Sequence, residues 1–115
     1  MNSLFTLAFA LTALFHTALK SSIPAKGTTV PSPTRVSLTF TEPVNVNLST
    51  IVITKPDSIA VVESLIVAKG PAAATFMAPV IKALLPGKYL IKWKTASDDG
   101  HAVRGIIPFT VSAPH

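Results

Sequence analysis

Beyond residue 16 the chain alternates apolar and polar positions in short runs broken by Pro, Gly, Ser and Asp, with no sustained helical periodicity. Arg35-Val36-Ser37-Leu38-Thr39-Phe40-Thr41 puts Val36, Leu38 and Phe40 on one face of a strand. After the Pro86-Gly87 turn signal, Lys88 to Thr95 points Tyr89, Ile91 and Trp93 one way and Lys88, Lys92 and Lys94 the other. Gly105 opens a last strand in which Ile107, Phe109 and Val111 alternate inward. The weaker segments fill in between. Leu19 to Ile23 is a short first strand, stopped by Pro24 and the Ala25-Lys26-Gly27 turn, and Pro31-Ser32-Pro33 is a stiff connection, since proline fixes φ and removes a donor. Ser49 to Thr54 makes a strand that ends at Pro56-Asp57-Ser58. Ile59 to Ala68, nearly all apolar around Glu63-Ser64, suits a strand with a bulge or a central sandwich position, and a helix stays open there. Ala72 to Met77 reads as an edge strand, and Pro79 to Leu85 as one helical turn or a crossover.

About seven short strands with turns every eight to twelve residues predict an all-β fold, a Greek-key β-sandwich of the cupredoxin or immunoglobulin-like kind. A chain of 115 residues holds one such domain. The two strongest strands flank Ser97-Asp98-Asp99-Gly100-His101, so a hairpin presents this stretch on its connecting loop at one end of the sandwich.

The first residues belong to a different class. Leu4 to Phe15 reads LFTLAFALTALF, with only Thr6 and Thr12 polar, which is short of the roughly 20 apolar residues a membrane span needs and matches the apolar region of a secretory signal. Residues 1–15 are therefore expected to be a signal peptide and residues 16–115 the exported, periplasmic domain. No Lys or Arg precedes the apolar run. The small pair Ala8 and Ala10 falls too early for cleavage, and a cut after Phe15 sets Ala13 correctly but leaves a bulky residue at the cut. An uncleaved hydrophobic anchor or a displaced start codon are the alternatives.

Composition narrows the function. With no cysteine, neither a disulfide nor a thiolate metal site can hold this fold. The net charge is +5, but the lysines and arginines are scattered from Lys20 to Arg104 without a run that would mark a nucleic-acid stripe, so nucleic acid is not an expected partner. The three histidines are His16, His101 and the terminal His115. Asp99 and His101 flank Gly100, which permits a left-handed turn able to aim both side chains the same way. Taken alone, the stretch is equally an Asp-Gly hairpin turn beside a solvated histidine. His16 matters by position: if the leader is cut before it, its α-amine and Nδ1 can chelate one metal ion. With the His101 imidazole and the Asp99 carboxylate these make three nitrogens and one oxygen, a set that suits a tetragonal Cu(II) ion. Zinc would accept the same donors in a tetrahedron, so geometry decides between them.

In order along the chain, several short motifs add up. His16-Thr17-Ala18-Leu19-Lys20-Ser21-Ser22-Ile23-Pro24-Ala25-Lys26-Gly27 is similar to a mature N-terminus that opens on histidine and runs into a Ser-x-Pro-x-x-Gly turn. Phe40-Thr41-Glu42-Pro43-Val44 matches F-[ST]-E-P-V, Ser97 to His101 and Gly105 to Val111 match S-x-D-G-H and G-x-x-x-F-x-V, and Gly87 to Trp93 resembles G-x-Y-x-V-x-W, with Ile91 in place of the valine. Together they resemble the CopC family of small periplasmic copper-binding proteins, over essentially everything after the leader. The resemblance implies a Greek-key sandwich that binds one Cu(II) ion through His16, Asp99 and His101. Glu42, within the F-x-E-P-V motif, would orient a ligand or the amine by hydrogen bonding, or else is a surface carboxylate ending a strand. Some members also hold Cu(I) in a methionine-rich loop; this chain has only Met1 and Met77, so that site is expected to be missing. Trp93 is expected in the core beneath the metal loop.

The function so implied is a non-enzymatic, monomeric carrier or buffer of copper for resistance, homeostasis or import, with a CopD-type inner-membrane transporter as a partner. Two alternatives stand beside it. One is a copper-dependent oxidative enzyme of the N-terminal-histidine type, related to the lytic polysaccharide monooxygenases, against which Asp99 would occupy a position that oxygen chemistry needs open. The other is a structural sandwich module that binds no metal.

Overall fold

The computed structural model describes residues 17–58, 60–98 and 100–114. Among these described residues, nine strands form two sheets packed face to face. They are β1 (Leu19–Ile23), β2 (Thr29–Val30), β3 (Arg35–Phe40), β4 (Thr50–Thr54), β5 (Val61–Leu65), β6 (Ala68–Lys69), β7 (Thr75–Pro79), β8 (Gly87–Ala96) and β9 (Ala102–Val111). The four-stranded sheet runs β1-β3-β7-β6 and the five-stranded sheet β2-β9-β8-β4-β5. Consecutive strands repeatedly change sheet, as the Greek-key expectation requires. The only helical element among the described residues is a 3-10 turn at Val46–Leu48, in the bend that carries the chain from β3 to β4.

The alternating segments fold as their patterns dictate. Val36, Leu38 and Phe40 from β3 face Ile51 and Ile53 from β4, Tyr89, Ile91 and Trp93 from β8, and Ile107, Phe109 and Val111 from β9, all buried. Phe40 is the hinge of this core: its ring stacks on Phe76 at 5.3 Å and meets the Trp93 indole edge-on at 5.2 Å. Such aromatic pairs add about 0.5–1.5 kcal/mol each beyond the area they bury. The hairpin β8–β9 pairs residue by residue from Gly87↔Val111 to Ala96↔Ala102, and so leaves only residues 97–101 as its loop.

One assignment differs from the sequence-based expectation, and two that the sequence left open are decided. The segment expected as an edge strand, Ala72 to Met77, shifts to β7 and lies between β3 and β6, because Phe76 and Ala78 are apolar enough to be buried there. Pro79 to Leu85 is a crossover without a helical turn. Ile59 to Ala68 contains the short β5, with the register slip anticipated there: it lies opposite the Ile53/Thr54 step of β4.

Candidate metal site

The candidate site is one end of the sandwich, where three segments meet. The first is the start of β1. Ala18 N–H donates to Thr41 Oγ1 at 3.0 Å, and Thr41 N–H donates to the Ala18 carbonyl at 2.8 Å. This reciprocal pair continues the β1–β3 ladder beyond Leu19↔Phe40 and fixes the chain entering the sandwich against the residue preceding Glu42. Glu42 itself is half-buried.

The second segment is the bend after Glu42. Asn45 N–H donates to the Ala96 carbonyl at 2.8 Å, which staples the bend to the last residue of β8. The Asn45 side chain works in both directions: its Oδ1 accepts from Asn47 N–H at 2.9 Å, capping the 3-10 turn, and its Nδ2 donates to Asp98 Oδ1 at 3.1 Å. Beneath it runs a short hydroxyl relay. Ser49 Oγ donates to the Asn45 carbonyl at 2.8 Å, and because a serine hydroxyl has one proton, the fully buried Thr95 hydroxyl donates to Ser49 at 2.6 Å.

The third segment is the hairpin loop. Gly100 N–H bonds the Ser97 carbonyl at 2.9 Å, closing a four-residue turn, and Gly100 takes φ +88°, the left-handed region that other residues enter only with strain. His101 follows, exposed, immediately before β9 begins at Ala102. Trp93, three residues before the end of β8, is 7% exposed and packed edge-on against Phe40, as expected of a core residue. Beside this end a cleft of about 300 Å³ opens between the bend and the β6–β7 turn, with Pro43, Val44, Lys69, Pro71, Phe76 and Asp98 on its walls.

Of the residues singled out from sequence, His101 and Glu42 are described, and His16 and Asp99 lie outside the described residues. Among the described residues no three of His, Cys, Asp and Glu come together as a metal cluster. Two residues that organise this end were not singled out beforehand. Thr41 stands in the sequence as a strand-end position within F-[ST]-E-P-V, which gives no hint of its partner, and Asn45 carries a usable signal, since an asparagine ahead of a short turn is a capping residue. Its partner Asp98 is 53 positions away, and no local pattern reports that contact.

Comparison with known proteins decides the family. The family model for the CopC domain matches residues 19–112. The chain belongs to the CopC family. A protein of Xanthomonas campestris pv. juglandis named Copper resistance protein C is 31% identical over 104 residues, covering 86% of this chain and 82% of that one. A second Copper resistance protein C, from Escherichia coli, is 27% identical over 108 residues, covering 89% and 86%. Among solved structures, CopC from Methylosinus trichosporium OB3b superposes with a TM-score of 0.76 at 27% identity, covering 84% of this chain and 94% of that one. PcoC of Escherichia coli, described as a methionine-rich copper resistance protein, superposes at 0.71 with 29% identity, covering 84% and 99%. This CopC chain is not methionine-rich: Met1 and Met77 are its only methionines, and Met77 sits on β7 opposite Ser37.

Proposed function

We propose that this CopC protein is a periplasmic copper-resistance protein that binds one Cu(II) ion and acts as a carrier or buffer, not as an enzyme. The ligands are His16, through its α-amine and imidazole, with Asp99 and His101. Glu42 orients a ligand or the amine. Residues 1–15 are the export signal, residues 16–115 the mature domain, and cleavage before His16 creates the amine donor. The protein works as a monomer and passes copper to a membrane transporter of the CopD type.

The observation that carries this reading is the double tie of Ala18 to Thr41 and of Asp98 to Asn45, four residues further on. The Cα of a residue two positions before Ala18 is within about 7 Å of the Ala18 Cα by covalent geometry alone. The start of the mature domain and the His101 loop are thus held to a common bend, which is what a site assembled from both ends of the chain needs. Asp98 ties the loop to the bend through one carboxylate oxygen, and it is the S-x-D-G-H motif that assigns the ligand role to Asp99. Three nitrogens and one oxygen suit tetragonal Cu(II), and the names of the relatives point to copper.

Cu(II) titration of the 16–115 chain against a competing chelator tests the reading. One ion per chain is expected, with quenching of Trp93 emission and at least a tenfold loss of affinity in both His101→Ala and Asp99→Ala. Undiminished affinity in those two variants would sink the ligand set.

A further inference from the structure

The outer face of the five-stranded sheet is charged with one sign only. Lys88, Lys92 and Lys94 of β8 and Arg104 of β9 occupy outward positions, alternating with the buried Tyr89, Ile91 and Trp93 and with the inward Ile107 and Phe109. Lys94 lies directly across from Arg104, and like charges so paired oppose each other. The only carboxylate in the five strands of this sheet is Glu63, which shares the inward face with its partner Ile53 and accepts from Ile81 N–H at 3.2 Å. No carboxylate of the sheet therefore offsets the four cations. Between them stand apolar side chains: Ile106, 57% exposed, on one side of Lys92 and Val52 on the other.

The geometry points to this face as a docking surface for an anionic lipid bilayer. A diffuse negative plane complements cations spread over a broad, shallow sheet, with Ile106 entering the headgroup layer. An acidic protein surface fits less well. Lysine, which supplies three of the four charges, is depleted at protein interfaces, and the sheet's aromatic side chains, the usual anchors there, are turned into the core. Binding would be peripheral: among the described residues no helix is long and apolar enough to cross a membrane. Lys94 and Arg104 are close to the hairpin loop, so a docked sheet would hold the loop near the membrane. The inference rests on the charge distribution and not on the copper reading.

Sedimentation of the 16–115 chain, whose core is drawn wholly from residues 19–111, with vesicles of phosphatidylcholine and phosphatidylglycerol tests it. Co-sedimentation is expected at low ionic strength, and its loss in about 1 M salt, where charges are screened within roughly 3 Å. Each cation neutralised should weaken binding about fivefold, so Lys94→Gln with Arg104→Gln should cost roughly 25-fold. The matched pair Lys20→Gln with Lys69→Gln, on the four-stranded sheet, carries the same change in net charge and should leave binding close to wild type. Unchanged Trp93 emission verifies that each variant is folded. Three outcomes overturn the proposal: no binding to the anionic vesicles at low salt, equal losses in the two double variants, or binding to soluble polyglutamate without binding to vesicles.

Discussion

Gly105 lies directly opposite Trp93 in the β8–β9 hairpin, and the indole occupies the space a side chain would need: a Cβ on Gly105 would come within 2.5 Å of Trp93 Cζ2 and 2.7 Å of Cε2. The glycine is what allows the indole to lie flat against β9 and still meet Phe40 edge-on. Its φ is not unusual, so the requirement is space and not conformation. Gly105→Ala should therefore destabilise the fold by about 1–3 kcal/mol, the usual cost of overpacking a core, and shift Trp93 emission. Urea unfolding followed by fluorescence measures both, and wild-type stability in this variant would mean the contact is loose.

Asn45 joins the bend to the hairpin loop with one side chain and caps the 3-10 turn with the same group. Asn45→Ala removes two hydrogen bonds at an accessible position, and about 0.5–1.5 kcal/mol of stability for each is the upper expectation. Asn45→Asp separates the two roles, because it keeps the acceptor for Asn47 N–H and sets a like charge against Asp98. Both variants should weaken Cu(II) binding, by roughly tenfold or more if the loop must be held to form the site. Chelator competition reads the affinity, and an Asn45→Asp protein that binds as wild type would separate the loop tie from the metal.

The reach of the sequence is uneven for physical reasons. β3, β8 and β9 were legible because each buries one face and exposes the other over six residues or more, so the period of two is written out in full. β2 and β6 have two residues each, too few to show any period. The sequence predicts an edge strand over Ala72 to Met77, yet Phe76 and Ala78 seat β7 between β3 and β6. At the candidate site the turn was legible, since Asp-Gly announces it and Gly100 adopts the positive φ it permits. The ties from Thr41 to Ala18 and from Asn45 to Asp98 join residues 23 and 53 positions apart, and only the folded chain brings them together.

Thr41 offers a test at the other tie. Its hydroxyl accepts from Ala18 N–H, while its own backbone N–H bonds the Ala18 carbonyl and survives any side-chain change. Thr41→Val keeps the shape and removes the acceptor, so the entry to β1 should loosen by about 1 kcal/mol. Global stability should barely change, because Thr41 is exposed and outside the core. Cu(II) affinity should fall by about tenfold if the amine donor depends on this anchor. Hydrogen exchange at Ala18 checks the first expectation and chelator competition the second.

The sharpest prediction concerns the N-terminus and pH together. If the α-amine of His16 is a ligand, Cu(II) competes with protons for an amine and two imidazoles, so acidification must release the metal. The bound form carries fewer protons than the free form, and apparent affinity therefore falls steadily as pH drops. A chain acetylated at the His16 α-amine keeps both imidazoles and Asp99 but removes the amine as a donor. It should bind more weakly at neutral pH, show an altered Cu(II) electron paramagnetic resonance spectrum, and lose metal with a shallower pH dependence, because one proton-coupled donor is gone. Matching spectra and matching pH profiles for the two chains would remove the amine from the ligand set. Such a match would leave Asp99 and the two imidazoles as the donors.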